Sequence, residues 1–201
     1  MNIQVARPFT RTFTGESPLG DLIADALREY SATDFAFMNS GGIRAELPAK
    51  DLTYADIFAV SPFDNYPAVV AMTGAQIVET LRLTSTGIRG ILQVSGLRYT
   101  VDAAKDNDKP PAERNRIVSV TRTDGRPLDP NAIYTVAMPD FIAAGGDNTN
   151  PVMSVIPRDR ITIAYARPIR DVLVEMWAKR PQPLEPRTDG RITVLNLPAQ
   201  Q

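Results

Sequence analysis

Three stretches of the chain carry side chains that together suit a phosphorylated, ring-bearing ligand. They are Asn39-Ser40-Gly41-Gly42-Ile43-Arg44, Pro62-Phe63-Asp64-Asn65 and Phe141-Ile142-Ala143-Ala144-Gly145-Gly146-Asp147-Asn148. Glycine pairs let the backbone approach a ligand closely, an arginine forks onto a phosphate, a carboxylate accepts vicinal hydroxyls, and phenylalanine rings stack on a flat base. The combination suggests a nucleotide pocket.

Each element taken singly also has a plainer reading. Gly41-Gly42 ahead of Arg44 could aim amides and a guanidinium at one anion, or form an ordinary turn before a surface arginine. Phe63, after Pro62 and beside Asp64, is either an exposed stacking platform or a plug over the core. Asp147, six residues beyond Phe141, either takes the hydroxyls of a ribose or caps its own Gly145-Gly146 turn.

The composition narrows the chemistry. With no histidine and no cysteine, the commonest general base, thiolate chemistry and Cys- or His-based metal sites are all excluded. Only carboxylates and carbonyls remain as metal ligands, and Asp34, Asp51, Asp56, Asp64 and Asp147 are scattered without EF-hand spacing. No nucleophile-base pair stands out, so no catalytic residue and no metal ligand is assigned, and the chain is expected to bind without cleaving. Its 22 basic and 23 acidic side chains are mixed along the sequence, so no nucleic-acid or anionic-lipid partner is expected. No apolar run approaches the ~20 residues of a membrane span, and Met1 to Arg7 lacks the form of a signal peptide.

The elements that must position these residues follow from periodicity and capping. Ser17-Pro18 reads as N-cap and first helical residue, with Leu19, Leu22, Ile23, Ala26 and Leu27 at helical spacing up to about Tyr30. Phe35 to Met38 is a buried strand that delivers Asn39 to Arg44 into a loop. Thr53 with Asp56 and Thr73 with Gln76 form capping boxes, the first opening a short helix through Phe58, the second a helix ended at Gly87. Strands are expected over Ala68 to Met72, Leu97 to Val101, Ile117 to Thr121, Ile133 to Ala137, Ile161 to Tyr165 and Ile192 to Leu195. Asp102 to Arg116 is a polar loop, and Pro168 opens a last helix with Val172, Leu173, Met176 and Trp177 inward. This order, without regular strand-helix alternation, gives an α+β class: one layered domain over residues 1–201 with mixed, largely antiparallel sheets flanked by helices.

In combination these elements resemble the C-terminal domain of the 5'-nucleotidase family, which includes UDP-sugar hydrolases and cyclic-nucleotide phosphodiesterases. Glu16 to Ala26 is similar to the family's entry helix, Asn39 to Arg44 to its Asn-x-Gly-Gly-x-Arg loop, and Pro62 to Asn65 to its Pro-Phe-x-Asn loop. Gln93-Val94-Ser95-Gly96-Leu97 and Phe141 to Asp147 follow in order. The resemblance implies that Phe63 and Phe141 sandwich a base, Asn65 hydrogen-bonds it and Gly90 offers it a backbone contact. It further implies that Asp147 holds the ribose while Arg44, with Arg11 beside it, meets the phosphate, the glycines Gly41, Gly42, Gly145 and Gly146 shaping the two walls. The catalytic part it implies is a separate N-terminal metallophosphatase domain with two divalent ions, in a full-length protein that is exported or on the cell surface. Two positions depart from the pattern: Asp64 stands where glycine is usual, and Asn148-Thr149-Asn150 replaces a glycine-aromatic pair. Two other functions stay open on the residues alone, a docking module that keeps the fold and a hydrolase using only carboxylates on a metal.

Overall fold

Ser17 opens the first helix as an N-cap, its Oγ accepting the Gly20 amide at 3.1 Å, and Pro18 supplies the fixed φ of the first turn. The computed structural model describes residues 2–197. In chain order the elements are α1 (Pro18–Ser31), β1 (Phe35–Asn39), α2 (Tyr54–Val60), β2 (Pro67–Thr73), α3 (Gly74–Thr84), β3 (Leu92–Ser95) and β4 (Leu97–Asp102). Then come β5 (Ile117–Arg122), β6 (Ile133–Pro139), α4 (Asp140–Ala143), α5 (Asn150–Met153), β7 (Ile161–Ile163), α6 (Ile169–Ala178) and β8 (Ile192–Leu195).

The strands form a five-stranded sheet in the order β3-β1-β6-β2-β7 and a three-stranded sheet in the order β5-β4-β8. Within them β1 runs parallel to β6 and β4 parallel to β8, the remaining pairs being antiparallel. The chain is thus a mixed α+β structure. Strand β1 is buried on both faces, and its period-two alternation divides it between two cores. Phe35 and Phe37 face the side that holds α3 and the second sheet, with Val70, Leu81, Leu97, Tyr99 and Ile192. Ala36 and Met38 face α1, α2 and α6, with Leu19, Ile23, Leu27, Ile57, Leu173 and Trp177.

The expected elements differ from the observed ones mainly at their ends. Helix α3 stops at Thr84, three residues short of Gly87, and β7 stops at Ile163 instead of Tyr165. Helix α2 runs two residues past Phe58 to Val60. Strand β3 and the single-turn helices α4 and α5 were not anticipated.

Candidate functional site

Because β1 is buried, its last residue leaves the sheet in a defined direction. Asn39 is followed by one tight turn, Ser40 to Gly42. That turn is tied down by Ser40, whose N–H donates to the Ile91 carbonyl at 3.2 Å and whose Oγ donates to the same oxygen at 2.7 Å. Gln93, fully buried, binds the surrounding segments into one unit. Its Nε2 donates to Gly15 O at 2.9 Å and Ser40 Oγ at 3.1 Å, while its Oε1 accepts the Ser17 amide at 3.1 Å. Gly41 is different from a packing glycine. A Cβ there would meet only Asn39 Nδ2 at 3.8 Å and Asp147 Oδ2 at 3.9 Å, ordinary contacts, so the protein's own packing does not require glycine. Its missing side chain keeps the space beside Asp147 open.

The second wall comes from the turn after β6. Asp140 to Ala143 makes one helical turn, and Phe141 projects from it with 45% of its surface exposed. Gly146 has no room for a side chain, since a Cβ would lie 2.4 Å from Phe141 Cζ, so the ring rests directly on the Gly146 backbone. Asp147 and Asn148 then follow with φ of 49° and 70°, the left-handed region that these two residue types tolerate best. Thr149, fully buried, holds the turn by donating from Oγ1 to Ile142 O and Gly146 O, both at 2.8 Å. Across the gap Asn39 Nδ2 donates to Asp147 Oδ2 at 2.7 Å, joining two glycine elements 108 residues apart. Asn39 Oδ1 is buried and has no hydrogen-bond partner among the described residues.

The Pro62 to Asn65 loop is positioned from α6. Arg170, 9% exposed, donates through Nη1 to Phe63 O at 2.8 Å, through Nη2 to the Asp64 carboxylate and through Nε to Tyr54 Oη at 3.3 Å. The same guanidinium lies over the Phe58 ring, 5.1 Å from its centroid, and the neighbouring Ile169 amide donates to Asn65 O at 2.8 Å. Asp64 therefore has a structural partner in Arg170. Phe63 is 45% exposed, so neither candidate ring plugs the core. Arg170→Ala is expected to cost about 1–3 kcal/mol of stability through these lost hydrogen bonds and to loosen the Phe63 loop. Arg170→Lys, which keeps the charge but not the fork, should recover less than half of the loss in urea denaturation.

Arg44 is exposed; its Nη1 donates to Gly41 O at 3.3 Å, its backbone amide donates to Val60 O at 2.8 Å, and it has no ion pair among the described residues. Eight expected residues converge on one cavity of about 560 Å³: Gly41, Gly42, Arg44, Phe63, Asn65, Gly90, Phe141 and Asp147. Asn39 and Phe13 line it as well. Arg11 does not; it lies in an adjoining depression shared with Arg44, its guanidinium 5.2 Å from the Phe13 ring centroid. Gly145 and Gly146 stay behind the wall, where they shape the Phe141 turn. The volume lies within the range of ordinary small-molecule sites, about 300–1,000 Å³. Asp147 is the one carboxylate lining this cavity among the described residues.

A separate carboxylate cluster stands outside it. Oxygens of Glu16, Asp21 and Asp189 lie within 4.8 Å of one another, and none of the three lines the cavity. Arg191 is set among them, with Nε 2.9 Å from Asp189 Oδ1 and 3.5 Å from Asp21 Oδ1, and Nη1 2.7 Å from Asp25 Oδ1. Glu16 accepts the backbone amides of Asp189 and Gly190 at 2.9 and 3.0 Å. The cluster ties α1 to the segment leading into β8.

Arg170, Asn39 and Phe13 are the residues that the site gains beyond those expected. Asn39 had a sequence signal as the first residue of the Gly-Gly-x-Arg loop, whereas Arg170 had none beyond its place near the start of the helix opened by Pro168.

Residues 2–154 match the family model described as 5'-nucleotidase, C-terminal domain. A cell wall protein of Listeria monocytogenes is 36% identical over 171 residues, covering 76% of this chain and 21% of that protein. The 5'-nucleotidase of Vibrio cholerae is 34% identical over 135 residues, covering 66% of this chain and 22% of its own length. Among solved structures, a 5'-nucleotidase precursor from Thermus thermophilus superposes with a TM-score of 0.84 at 28% identity, over 98% of this chain and 40% of that one. The chain thus spans about a fifth of these two relatives' lengths. With the motifs, the two-sheet architecture and these likenesses in agreement, the chain belongs to the family of 5'-nucleotidase C-terminal domains.

Proposed function

We propose that this chain is the nucleotide-recognition part of a metal-dependent phosphohydrolase of the 5'-nucleotidase type, its 201 residues acting as one domain. Phe63 and Phe141 grip the two faces of a base, Asn65 and the Gly90 backbone read its edge, and Asp147, braced by Asn39, takes the ribose hydroxyls. Arg44 meets the phosphate, and Arg11 extends that positive end. The observation that carries this reading is the convergence of these side chains from separate loops on one cavity, with Arg44 outside any ion pair and Asp147 as the one lining carboxylate among the described residues. The shared core of the two sheets supports the one-domain reading.

Hydrolysis is assigned to a separate N-terminal metallophosphatase domain, where two divalent ions would polarise the phosphate and activate water. The carboxylates of this chain do not fit that task. Asp147 is the one carboxylate lining the cavity among the described residues, and in the separate cluster Glu16 is taken up by backbone amides and Asp189 by Arg191, while burial keeps Asp21 protonated. The full-length protein is placed outside the cytoplasm, in the periplasm or at the cell surface, a reading supported by the Listeria cell wall relative.

An NMR titration with adenosine and AMP tests the proposal. Binding is expected in the high micromolar to millimolar range, about −4 to −5 kcal/mol, with shifts centred on the loops of Phe63 and Phe141. Unshifted loops at several millimolar ligand would overturn it. Because the chain has no histidine, adenosine affinity should be flat between pH 5.5 and 7.5, while AMP affinity should follow the ligand's own second phosphate ionisation near 6.

A further inference from the structure

Most glycines of this chain have a reason within the fold. Six of the twelve, Gly87, Gly90, Gly96, Gly125, Gly145 and Gly190, hold the left-handed backbone that other residues avoid. Four more are closed to a side chain, because a Cβ on Gly20, Gly42, Gly74 or Gly146 would lie under 3.0 Å from a neighbouring atom. Gly15 and Gly41 have neither reason, and of these two only Gly41 lines the cavity. It sits half-buried in the tight turn Ser40–Gly42 with φ outside the left-handed region, a conformation that alanine adopts at a lower entropic cost. The need for glycine at 41 therefore comes from something other than the protein's own atoms.

The surroundings of Gly41 identify that need. A Cβ there would stand 3.8 Å from Asn39 Nδ2 and 3.9 Å from Asp147 Oδ2, on the flank of the 2.7 Å hydrogen bond between them. A hydroxyl that donates to Oδ2 along that direction lies about 2.7–2.8 Å from it and needs about 3.5 Å to a carbon beyond, roughly 6 Å in all. A methyl at 3.9 Å shuts that approach. Glycine leaves it open, and a hydroxyl then reaches the carboxylate without displacing Asn39. Arg44 Nη1 donates to Gly41 O at 3.3 Å, so this one residue borders both the carboxylate and the guanidinium. The ribose of a nucleotide likewise carries its hydroxyls and its phosphate on one ring. We propose that Gly41 is a specificity-determining residue of the cavity. Its bare Cα receives the hydroxyl-bearing edge of the ligand's sugar against Asp147, and the cavity thereby selects ribose over sugars without those hydroxyls.

This role rests on the nucleotide reading above, and the test separates the two. AMP and its 2',3'-dideoxy analogue, which lacks both ribose hydroxyls, are titrated by NMR into the chain and its Gly41→Ala variant, and both proteins are unfolded in urea. The parent should bind AMP about tenfold more tightly than the analogue, the loss expected for hydrogen bonds to a charged group. Gly41→Ala should erase that preference, weakening AMP about tenfold and leaving the analogue unchanged, with a urea midpoint at or above the parent's. Gly42→Ala should instead unfold at lower urea, since its Cβ would lie 2.7 Å from Met38 Cε and 2.8 Å from Asn39 Oδ1. A preference that persists in Gly41→Ala, an equal loss for both ligands, or a lower urea midpoint in that variant would overturn the role of Gly41 alone. A parent that binds the two ligands equally would overturn it together with the ribose contact of Asp147. No binding of either ligand would overturn the nucleotide reading as a whole.

Discussion

Phe141→Ala should weaken adenosine binding by about one to two orders of magnitude, the range that follows from about 1–3 kcal/mol per base stacked on an aromatic side chain. The structure makes this a clean substitution. Phe141 is 45% exposed and rests on the Gly146 backbone instead of filling the core, so the variant should unfold within about 0.5–1 kcal/mol of the parent. Phe63→Ala should act similarly, because its ring is as exposed and its loop is held by backbone and Asp64 contacts to Arg170 rather than by the ring. If both rings grip one base, a base that loses one face slips on the other, and the double variant should lose less than the sum of the two single effects. Saturation that survives at the parental concentration in Phe141→Ala would remove the ring from the site.

How far the sequence leads depends on whether a feature is local. The starts of α1 and α3 were legible because Ser17-Pro18 and the Thr73–Gln76 box act within one turn. Strand β1 was legible as an unbroken apolar run, and the polar 102–116 segment as a loop. Strand β3 was hidden because it is short: Leu92-Gln93-Val94-Ser95 alternates apolar and polar side chains over only four residues, and the two polar ones are as buried as the apolar ones. Single-turn helices such as α4 and α5 are too short to show any periodicity. In the site, the residue types were visible in each loop, and the structure supplied their convergence. What stayed hidden were the links across the chain: Asn39 to Asp147 over 108 residues, and Arg170 to Asp64 over 106. No spacing rule reaches that far, and an arginine on a helix looks the same in sequence whether it meets water or clamps a distant loop.

The largest expected effect on stability lies at Asp21, outside the cavity. Its carboxyl is 4% exposed, accepts no hydrogen bond among the described residues, and has Arg191 Nε at 3.5 Å as its nearest cation. That cation is already shared with Asp25 and Asp189, and Glu16 adds negative charge beside it. Burial outweighs the attraction of Arg191, so the carboxyl is pushed up to about 9 and carries its proton at neutral pH. In the unfolded chain the same group ionises near 4. Between these limits the native state holds one proton more than the unfolded state, so stability falls as pH rises, by at most about 1.4 kcal/mol per pH unit. Below about 4 the group is protonated in both states and the penalty vanishes; above about 9 it is complete and constant. Between pH 6 and 8 this slope should stand clear, since no histidine or cysteine titrates there and the carboxyl of Asp56, lowered to about 2, is ionised throughout. Urea denaturation at pH 6, 7 and 8 should therefore show a steady loss of stability. In Asp21→Asn, which keeps the shape without the titration, the same series should be flat and the protein more stable than the parent at pH 8. A parent chain equally stable at pH 6 and pH 8 would mean that Asp21 is ionised in the fold, with Arg191 compensating its burial in full.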